Sequence, residues 1–225
     1  MTAERRAVLF DLDGTLIDTA PDMVRILQDM LATHGEPPLP YDLVRSVVSN
    51  GSLGLVRLAF PDAPEARLRD LQAEYLERYG ADVCRESHLF PGMDSLLTAL
   101  EENARPWGVV TNKPERMTTP LMSALNLMDR AACVVSGDTL PQRKPDPTPL
   151  LFASQHAGFE PAEAVYVGDA LRDIEAGRAA GMLTIGVQYG YIVDGDSAHD
   201  WAADHVAADI GELTTIIQKA VNLPV

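Results

Sequence analysis

Two scarcities narrow the classes of protein to which this 225-residue chain can belong. It has only two cysteines, Cys84 and Cys133, and no Cys-x-x-Cys pair, so a disulfide framework is excluded and a reducing, cytoplasmic setting is expected. Basic charge is also scarce, since 18 Lys+Arg face 33 Asp+Glu and leave a net charge of −15. Nucleic acids and anionic membrane surfaces are held by Lys and Arg, so neither is expected as a partner.

Long hydrophobic runs are lacking as well. No stretch approaches the ~18 apolar residues of a membrane span, and the charged start at Glu4, Arg5 and Arg6 is unlike a signal peptide, so neither feature is expected. The five histidines are scattered without the His-x-x-x-H spacing of a helical zinc site. What remains is a globular chain whose 46% hydrophobic content is ordinary for a protein with a buried core.

Short apolar runs recur along the chain and predict strands buried on both faces. They lie at residues 7–10, 107–110, 132–135, 165–167 and 183–187. Helical patterns accompany them at residues 93–102, 115–127, 149–157 and 171–180. Because strands that alternate with helices are typical of parallel sheets, the expected fold is α/β, with a Rossmann-like parallel sheet core flanked by helices.

The alternation breaks after the first predicted strand. Helical patterns alone fill the next stretch, at residues 20–33, 41–48, 52–60 and 64–79, with Thr19 expected to cap the first helix and Gly35 to end it. We therefore predict a small all-helical domain inserted into the α/β core. The predicted boundaries assign residues 1–18 and 90–225 to the core and residues 19–89 to the insertion.

Carboxylates and a threonine follow three of the predicted strands. Asp11 and Asp13 come after the first run, Thr111 after the second, and Asp169 after the fourth, with Asp173 four residues further on. Asp and Gly are also common in plain turns, which is the alternative for residues 11–14 taken alone. Because ligands bind at the carboxyl ends of parallel strands, the set as a whole indicates a site at that edge of the sheet.

Four motifs in this order resemble those of the haloacid dehalogenase-like (HAD) phosphohydrolase superfamily. They are Asp-Leu-Asp-Gly-Thr at residues 11–15, Thr111, Lys144 and Gly-Asp-Ala-Leu-Arg-Asp at residues 168–173. The resemblance spans nearly the whole chain, and the helical insertion looks like the family's small cap domain. Within the superfamily the chain is similar to phosphoglycolate phosphatases and to N-acetylmuramic acid 6-phosphate phosphatases. This resemblance implies that the chain is an Mg²⁺-dependent phosphatase for a small phosphate ester, 2-phosphoglycolate or N-acetylmuramic acid 6-phosphate.

The resemblance also implies roles for the acidic residues. Asp11 would be the nucleophile that forms an aspartyl-phosphate, and Asp13 would donate a proton to the leaving alcohol and then accept one from water. Asp11, Asp169 and the main-chain carbonyl of Asp13 would hold Mg²⁺, an ion that prefers oxygen ligands. Asp173 would orient a metal-bound water or Lys144 from behind these ligands.

The remaining predicted contacts concern the phosphoryl group and the rest of the substrate. Thr111, Asn112 and Lys144 would bind phosphoryl oxygens. Because the edge of the sheet contacts only the phosphate, the cap should select the substrate, and Asn50 and Arg57 are the residues predicted to contact it. The alternative for Arg57 is a solvated surface arginine.

Charge gives a further expectation for the site. Four carboxylates, Asp11, Asp13, Asp169 and Asp173, face only Lys144 among the predicted site residues, which leaves the site about three charges negative. A phosphate dianion should not enter such a site, so the sequence predicts dependence on a metal cation.

Three other functions are compatible with parts of this pattern. A sugar-phosphate phosphomutase would share all four motifs. A dehalogenase would share the nucleophile Asp11 but has no use for Asp13 or Asp169, and a phospho-accepting signalling module would lack the helical insertion. The expected partner is a small-molecule phosphate ester, and the expected state is a monomer or weak homodimer.

Overall fold

The computed structural model describes residues 6–223 of the chain. In this part of the chain the strands are β1 (Ala7–Phe10), β2 (Ile17–Asp18), β3 (His88–Leu89), β4 (Trp107–Val110), β5 (Cys133–Val135), β6 (Ala164–Gly168), β7 (Leu183–Val187) and β8 (His205–Ala207). The α-helices are α1 (Ala20–His34), α2 (Tyr41–Ser46), α3 (Gly51–Ala59), α4 (Glu65–Ala81), α5 (Met93–Glu102), α6 (Glu115–Ala124), α7 (Thr148–Ala157), α8 (Leu171–Ala179) and α9 (Ile210–Ala220). None of these helices is long and apolar enough to span a membrane.

Six of the strands form one parallel sheet in the order β5-β4-β1-β6-β7-β8. Successive residues of β1 belong to different clusters of the core, with Val8 and Phe10 in one and Ala7 and Leu9 in the other. Because side chains of a strand alternate between the two faces of a sheet and both faces are covered, the strand reads as a continuous apolar run. The α/β fold with a parallel sheet is thus confirmed.

Strand β8 and helix α9, at the end of the described chain, were not predicted. Strand β8 has three residues and begins at the exposed His205, so it lacks the apolar run that identifies the buried strands. The start of helix α9 could have been recognised in the sequence from its N-cap residue. The Asp209 carboxylate caps the helix by accepting a hydrogen bond from Glu212 N at 2.9 Å. Its Leu213 and Ile217, four residues apart, are fully buried.

The chain between β2 and β3 forms helices α1 to α4, which pack on one another. Strands β2 and β3 pair antiparallel, so the segments that enter and leave this helical unit lie side by side. The predicted division at residues 19 and 89 falls at this ribbon, whereas residues 1–5 and 224–225 of the predicted core lie outside the described residues. Helix α1 ends at Gly35 as expected, with φ of +73°.

The expectation that Thr19 caps α1 is wrong. Its side chain makes no capping hydrogen bond, and its hydroxyl instead donates to Asp13 Oδ1 at 2.7 Å. The backbone N–H of Ala20 is satisfied by the Tyr191 hydroxyl at 2.9 Å and by Asp18 Oδ1 at 3.3 Å. The distant Tyr191 and the neighbouring Asp18 therefore take the place of the predicted Thr19 cap.

A buried carboxylate, Asp22, fastens the segment that returns from the helical unit to the core. Its Oδ2 accepts hydrogen bonds from the backbone N–H groups of Arg85, Glu86 and Ser87 at 3.0, 2.9 and 2.8 Å, and from the Ser87 hydroxyl at 2.7 Å. Its Oδ1 pairs with Arg25 at 2.9 Å. Burial alone would raise the pKa of Asp22, but these hydrogen bonds outweigh it and hold the pKa below its ordinary value.

Replacing Asp22 with Ala should lower the free energy of unfolding by about 3 kcal/mol or more, because it leaves several buried donors without an acceptor. Asp29→Ala, on the exposed face of the same helix, should change it by no more than about 0.5 kcal/mol. Since the pKa of Asp22 is lower in the folded chain, its contribution is complete above about pH 4 and is lost on acidification. Urea unfolding should show this, and equal effects of the two substitutions would contradict it.

Candidate active site

The predicted site residues of three strands meet at one edge of the sheet. Asp11, Thr111 and Asp169 each follow the carboxyl end of a strand, and β1 lies between β4 and β6 in the sheet. The strands that follow along the chain lie first on one side of β1 and then on the other. In parallel sheets, a crevice opens at the strand where the order reverses in this way. Asp11 is anchored by its backbone N–H, which donates to Val167 O at 2.8 Å.

Three buried carboxylates lie together at this edge. Asp11, Asp169 and Asp173 offer oxygen atoms within 4.8 Å of one another. Burial and the negative charges of Asp11 and Asp173 raise the pKa of Asp169 to about 7. Such a cluster is unfavourable unless cations lie close to it.

The chain approaches Asp169 closely from two sides. Gly14 has φ of +81°, and a Cβ there or at Gly190 would overlap the Asp169 side chain. Asp169 Oδ2 accepts hydrogen bonds from Ser49 Oγ and Tyr191 N, both at 2.9 Å. Its Oδ1 has only a 3.5 Å contact from the Thr15 hydroxyl within residues 6–223. One buried carboxylate oxygen is therefore left for a further positive partner.

The donor set suits a hard divalent cation. Asp11 and Asp169 supply the carboxylate oxygens that Mg²⁺ prefers, and the incompletely satisfied Asp169 Oδ1 is one of them. Asp13 Oδ1 accepts from Thr19 and Lys113, and the carbonyl of Asp13 stays the predicted third ligand. These residues fit an Mg²⁺ ion.

Lys144 is the cation at the centre of the carboxylate cluster. Its Nζ lies 2.8 Å from Asp11 Oδ1 and 2.7 Å from Asp173 Oδ1, and it donates to Val110 O at 2.9 Å and to the Tyr166 hydroxyl at 2.8 Å. The side chain is almost completely buried. Asp173 Oδ2 in turn accepts from Ala170 N at 3.1 Å at the start of α8, so Asp173 lies between this helix and Lys144.

Thr111 and Asn112 lie beside Lys144, but their side chains face different partners. The two polar atoms of the Asn112 amide bond to the Lys144 backbone, Nδ2 donating to its carbonyl at 3.0 Å and Oδ1 accepting from its N–H at 3.1 Å. The Asn112 side chain thus positions the Lys144 segment. The predicted phosphate contact of Asn112 therefore falls to its backbone N–H and stays a prediction. Thr111 Oγ1 accepts from Lys113 N at 3.2 Å, which leaves its O–H proton for a ligand.

Asp13 is linked to the helical unit through a lysine that was not predicted. Lys113 Nζ lies 2.8 Å from Asp13 Oδ1 and donates to the Tyr79 hydroxyl of α4 at 2.7 Å. Nothing in the sequence distinguishes Lys113 from a solvated loop lysine, yet it is buried. The ion pair between Lys113 and Asp13 therefore joins the sheet edge to the helical unit.

Further contacts hold the helical unit over this edge. Besides Ser49, Arg45 of α2 donates to Tyr189 O and Gly190 O, each at 3.2 Å, and its guanidinium lies 4.9 Å from the centre of the Tyr191 ring. The helical unit is thus seated on the core in the structure, over the edge of the sheet that carries the site.

A cavity of about 390 Å³ lies between the helical unit and the sheet edge. Asp11, Asp13, Thr111 and Asn112 line it on the core side. The helical unit contributes apolar and neutral polar groups, which are Met23, Val48, Ser49, Asn50, Gly51, Ser52, Leu53, Gln72, Tyr75, Leu76 and Tyr79. The charged lining side chains all come from the core.

Of the two residues predicted to contact the substrate, the structure places one at the cavity and the other away from it. Asn50 lines the cavity. Arg57 does not: its exposed guanidinium pairs with Glu65 at 3.0 Å on the surface of the helical unit. Arg57 is one turn further along α3 than the cavity reaches, so the structure does not support its predicted contact.

The expectation of a strongly negative site is wrong. Beside Lys144, the structure places Lys113, Arg143 and Arg172 in or around the cavity, three cations that the count over the predicted residues omits. The charge argument for a metal ion therefore loses its basis, and the ion is supported by its oxygen ligands alone.

Comparison with known proteins agrees with this geometry. A protein-family model for haloacid dehalogenase-like hydrolases matches residues 8–187. The N-acetylmuramic acid 6-phosphate phosphatase of Pseudomonas putida is 46% identical over 96% of this chain and 97% of its own length. The phosphoglycolate phosphatase of Xylella fastidiosa is 43% identical over 88% of this chain and 87% of its own length. A crystal structure from Haemophilus somnus, described as a predicted phosphoglycolate phosphatase, superposes with a TM-score of 0.85 at 27% identity, covering 97% of this chain and all of that one.

Proposed function

The chain belongs to the haloacid dehalogenase-like hydrolase family and is a phosphatase, and on that premise we propose that it hydrolyses its phosphate ester through an aspartyl-phosphate on Asp11. One observation carries the proposal: Asp11 and Asp13 line the same cavity under the helical unit, with Thr111 beside them. The residues proposed as nucleophile, proton carrier and phosphoryl ligand thus face one cavity.

The reaction would proceed in two halves. A carboxylate oxygen of Asp11 attacks phosphorus, the bond from phosphorus to the leaving oxygen breaks, and Asp13 gives that oxygen a proton. A water molecule then attacks phosphorus and gives a proton to Asp13. The bond from phosphorus to Asp11 breaks, so that inorganic phosphate leaves and both carboxyl groups return to their starting states.

The protein positions charge around the transferred phosphoryl group. Lys144 holds the Asp11 carboxylate and would face the phosphoryl oxygens, while the Thr111 hydroxyl is placed to donate to one of them. Asp11, Asp169 and the carbonyl of Asp13 would hold Mg²⁺, which supplies a further positive charge to those oxygens when it is bound.

The cavity and the relatives favour one of two substrates. About 390 Å³ falls in the range of ~300–1,000 Å³ that holds drug-sized molecules, so the cavity has room for a phosphorylated sugar acid and exceeds what a two-carbon ester fills. Apolar walls suit the carbon skeleton and acetyl group of a sugar derivative. We therefore infer that N-acetylmuramic acid 6-phosphate is the first candidate, and the 43% identity to phosphoglycolate phosphatases makes 2-phosphoglycolate the second.

Phosphate release from a panel of esters tests this function. The panel holds N-acetylmuramic acid 6-phosphate, 2-phosphoglycolate and several neutral sugar phosphates, and the products are separated as well as the phosphate measured. The expected result is free phosphate, with the highest kcat/KM for N-acetylmuramic acid 6-phosphate. An isomerised sugar phosphate with little free phosphate would instead identify a phosphomutase.

Removal of divalent cations tests the metal site. With excess EDTA, phosphate release should fall by at least about 100-fold, because positive charge on the phosphoryl oxygens is lost, and added Mg²⁺ should restore it. The same treatment of an Asp169→Asn variant should change little, since that variant lacks a ligand from the start. Full activity of the unmodified enzyme in EDTA would show that no metal is required.

A further inference from the structure

Two arginines at the cavity have side chains without a hydrogen-bond partner in the described part of the chain. The charged side chains that line it are Asp11, Asp13, Lys113, Arg143 and Arg172. The first three pair with protein groups. The side chains of Arg143 and Arg172 make no hydrogen bond and no ion pair with any residue between 6 and 223. Their guanidinium groups are therefore available to a ligand.

The two arginines flank the catalytic residues in sequence. Arg172 is half-buried in the first turn of α8, next to Asp173, and Arg143 is exposed and directly precedes Lys144. Burial would lower the pKa of Arg172, but the carboxylates of Asp173, Asp11 and Asp169 outweigh it and raise the pKa. The charge of Arg172 thus lies within electrostatic reach of the nucleophile.

The helical unit offers no charge to the leaving part of a substrate. Its lining residues are apolar or neutral, so an anionic group on the leaving alcohol would find its cations only on the core side. In the proposed function the phosphoryl group itself would face Lys144 and Thr111. Two cations beyond those needed for phosphate indicate a second anionic group on the ligand.

The chemistry of that group follows from the shape of the guanidinium and from the relatives. Guanidinium groups form paired hydrogen bonds with carboxylates. N-acetylmuramic acid 6-phosphate and phosphoglycolate, named for the two relatives, differ in size but share a carboxylate besides the phosphate ester.

We propose that Arg172, together with Arg143, binds a carboxylate on the leaving group, so that the enzyme selects phosphate esters of hydroxy acids over esters of neutral alcohols. This inference rests on the proposed phosphatase function and adds a specificity site to it. Arg172 and Arg143 are then specificity-determining residues that contact the substrate away from phosphorus.

A matched pair of substrates tests the carboxylate site. N-acetylmuramic acid 6-phosphate carries a lactyl carboxylate that N-acetylglucosamine 6-phosphate lacks, and the two are otherwise alike around the phosphate. The native enzyme should prefer the acid in kcat/KM. In Arg172→Gln that preference should fall roughly 10- to 100-fold, mainly through a higher KM for the acid, and further in the double variant with Arg143→Gln.

Arg178→Gln is the control, because Arg178 is exposed on the same helix α8 and does not line the cavity. It should leave the rates with both esters and the preference between them unchanged. If Arg172→Gln and the double variant keep the native preference, or lose the same factor with both esters, the carboxylate site is refuted. Turnover by the native enzyme without preference for the acid also refutes it but leaves the phosphatase function standing. If none of the esters releases phosphate, both the proposed function and this inference are overturned.

Discussion

Asp11→Asn is expected to lower kcat/KM for phosphate release by at least about 10⁴-fold, the scale of loss seen when a nucleophile is removed. An amide of nearly the same shape can occupy the position after β1, but it cannot form the acyl phosphate. The backbone anchor to Val167 is independent of the side chain, so the fold should persist. The substitution also removes a carboxylate ligand of the proposed Mg²⁺ site and a partner of Lys144, so the covalent intermediate has to be measured directly.

Steady-state assays and mass spectrometry of the acid-quenched enzyme would measure this. The native enzyme should carry a trapped phosphoryl group on a peptide containing Asp11, and Asp11→Asn should carry none. Asp94→Asn serves as the control, because that carboxylate is exposed on α5 and pairs only with Arg130 within the described residues. Retention of more than a trace of activity in Asp11→Asn would show that another group attacks phosphorus.

Lys144→Met should have the second largest effect, on activity and on stability together. The ammonium has four partners at 2.7 to 2.9 Å, and its removal leaves Asp11 and Asp173 buried without a cation. We expect kcat/KM to fall on the order of 10³-fold, because the nucleophile and the phosphoryl oxygens lose their positive partner. The free energy of unfolding should fall by about 3–5 kcal/mol, as for other broken buried pairs.

A double variant separates the two effects. Lys144→Met combined with Asp173→Asn removes both charges of one pair, so part of the stability should return while activity stays low. Lys144→Arg should not rescue activity, since a guanidinium does not fit the enclosed space of an ammonium. Lys219→Met on the exposed face of α9 is the control for urea unfolding and kinetics. Recovery of activity in the double variant would mean that Lys144 has only a structural role.

Local patterns sufficed to predict the sheet and the residues at its edge. A strand covered on both faces must be apolar throughout, so β1, β4, β6 and β7 can be read from the sequence directly. Because their carboxyl ends coincide, residues that follow them must lie near one another, which places Asp11, Thr111 and Asp169 together. The short β8 shows the limit of this signal, since three residues carry too little of it.

Electrostatic balance could not be predicted in this way. It depends on distances between residues far apart in sequence, such as the 2.8 Å between Lys113 and Asp13 or the link from Lys113 to Tyr79 in the helical unit. The same holds for Arg172, whose pKa is raised by carboxylates that include the distant Asp11. The sum of charges over the predicted site residues was therefore negative, because it omitted the other cations that the folded chain brings to the site.

The sequence by itself determined which residues could do the chemistry, because catalytic side chains are tied to strand ends by short-range geometry. Tertiary structure alone decided what surrounds them: it turned Thr19 from a helix cap into a partner of Asp13, committed the Asn112 amide to Lys144 and left Arg57 on the surface. The physical reason is that a hydrogen bond or ion pair is decided by approach within about 3 Å, which only the packing of the helical unit on the sheet establishes.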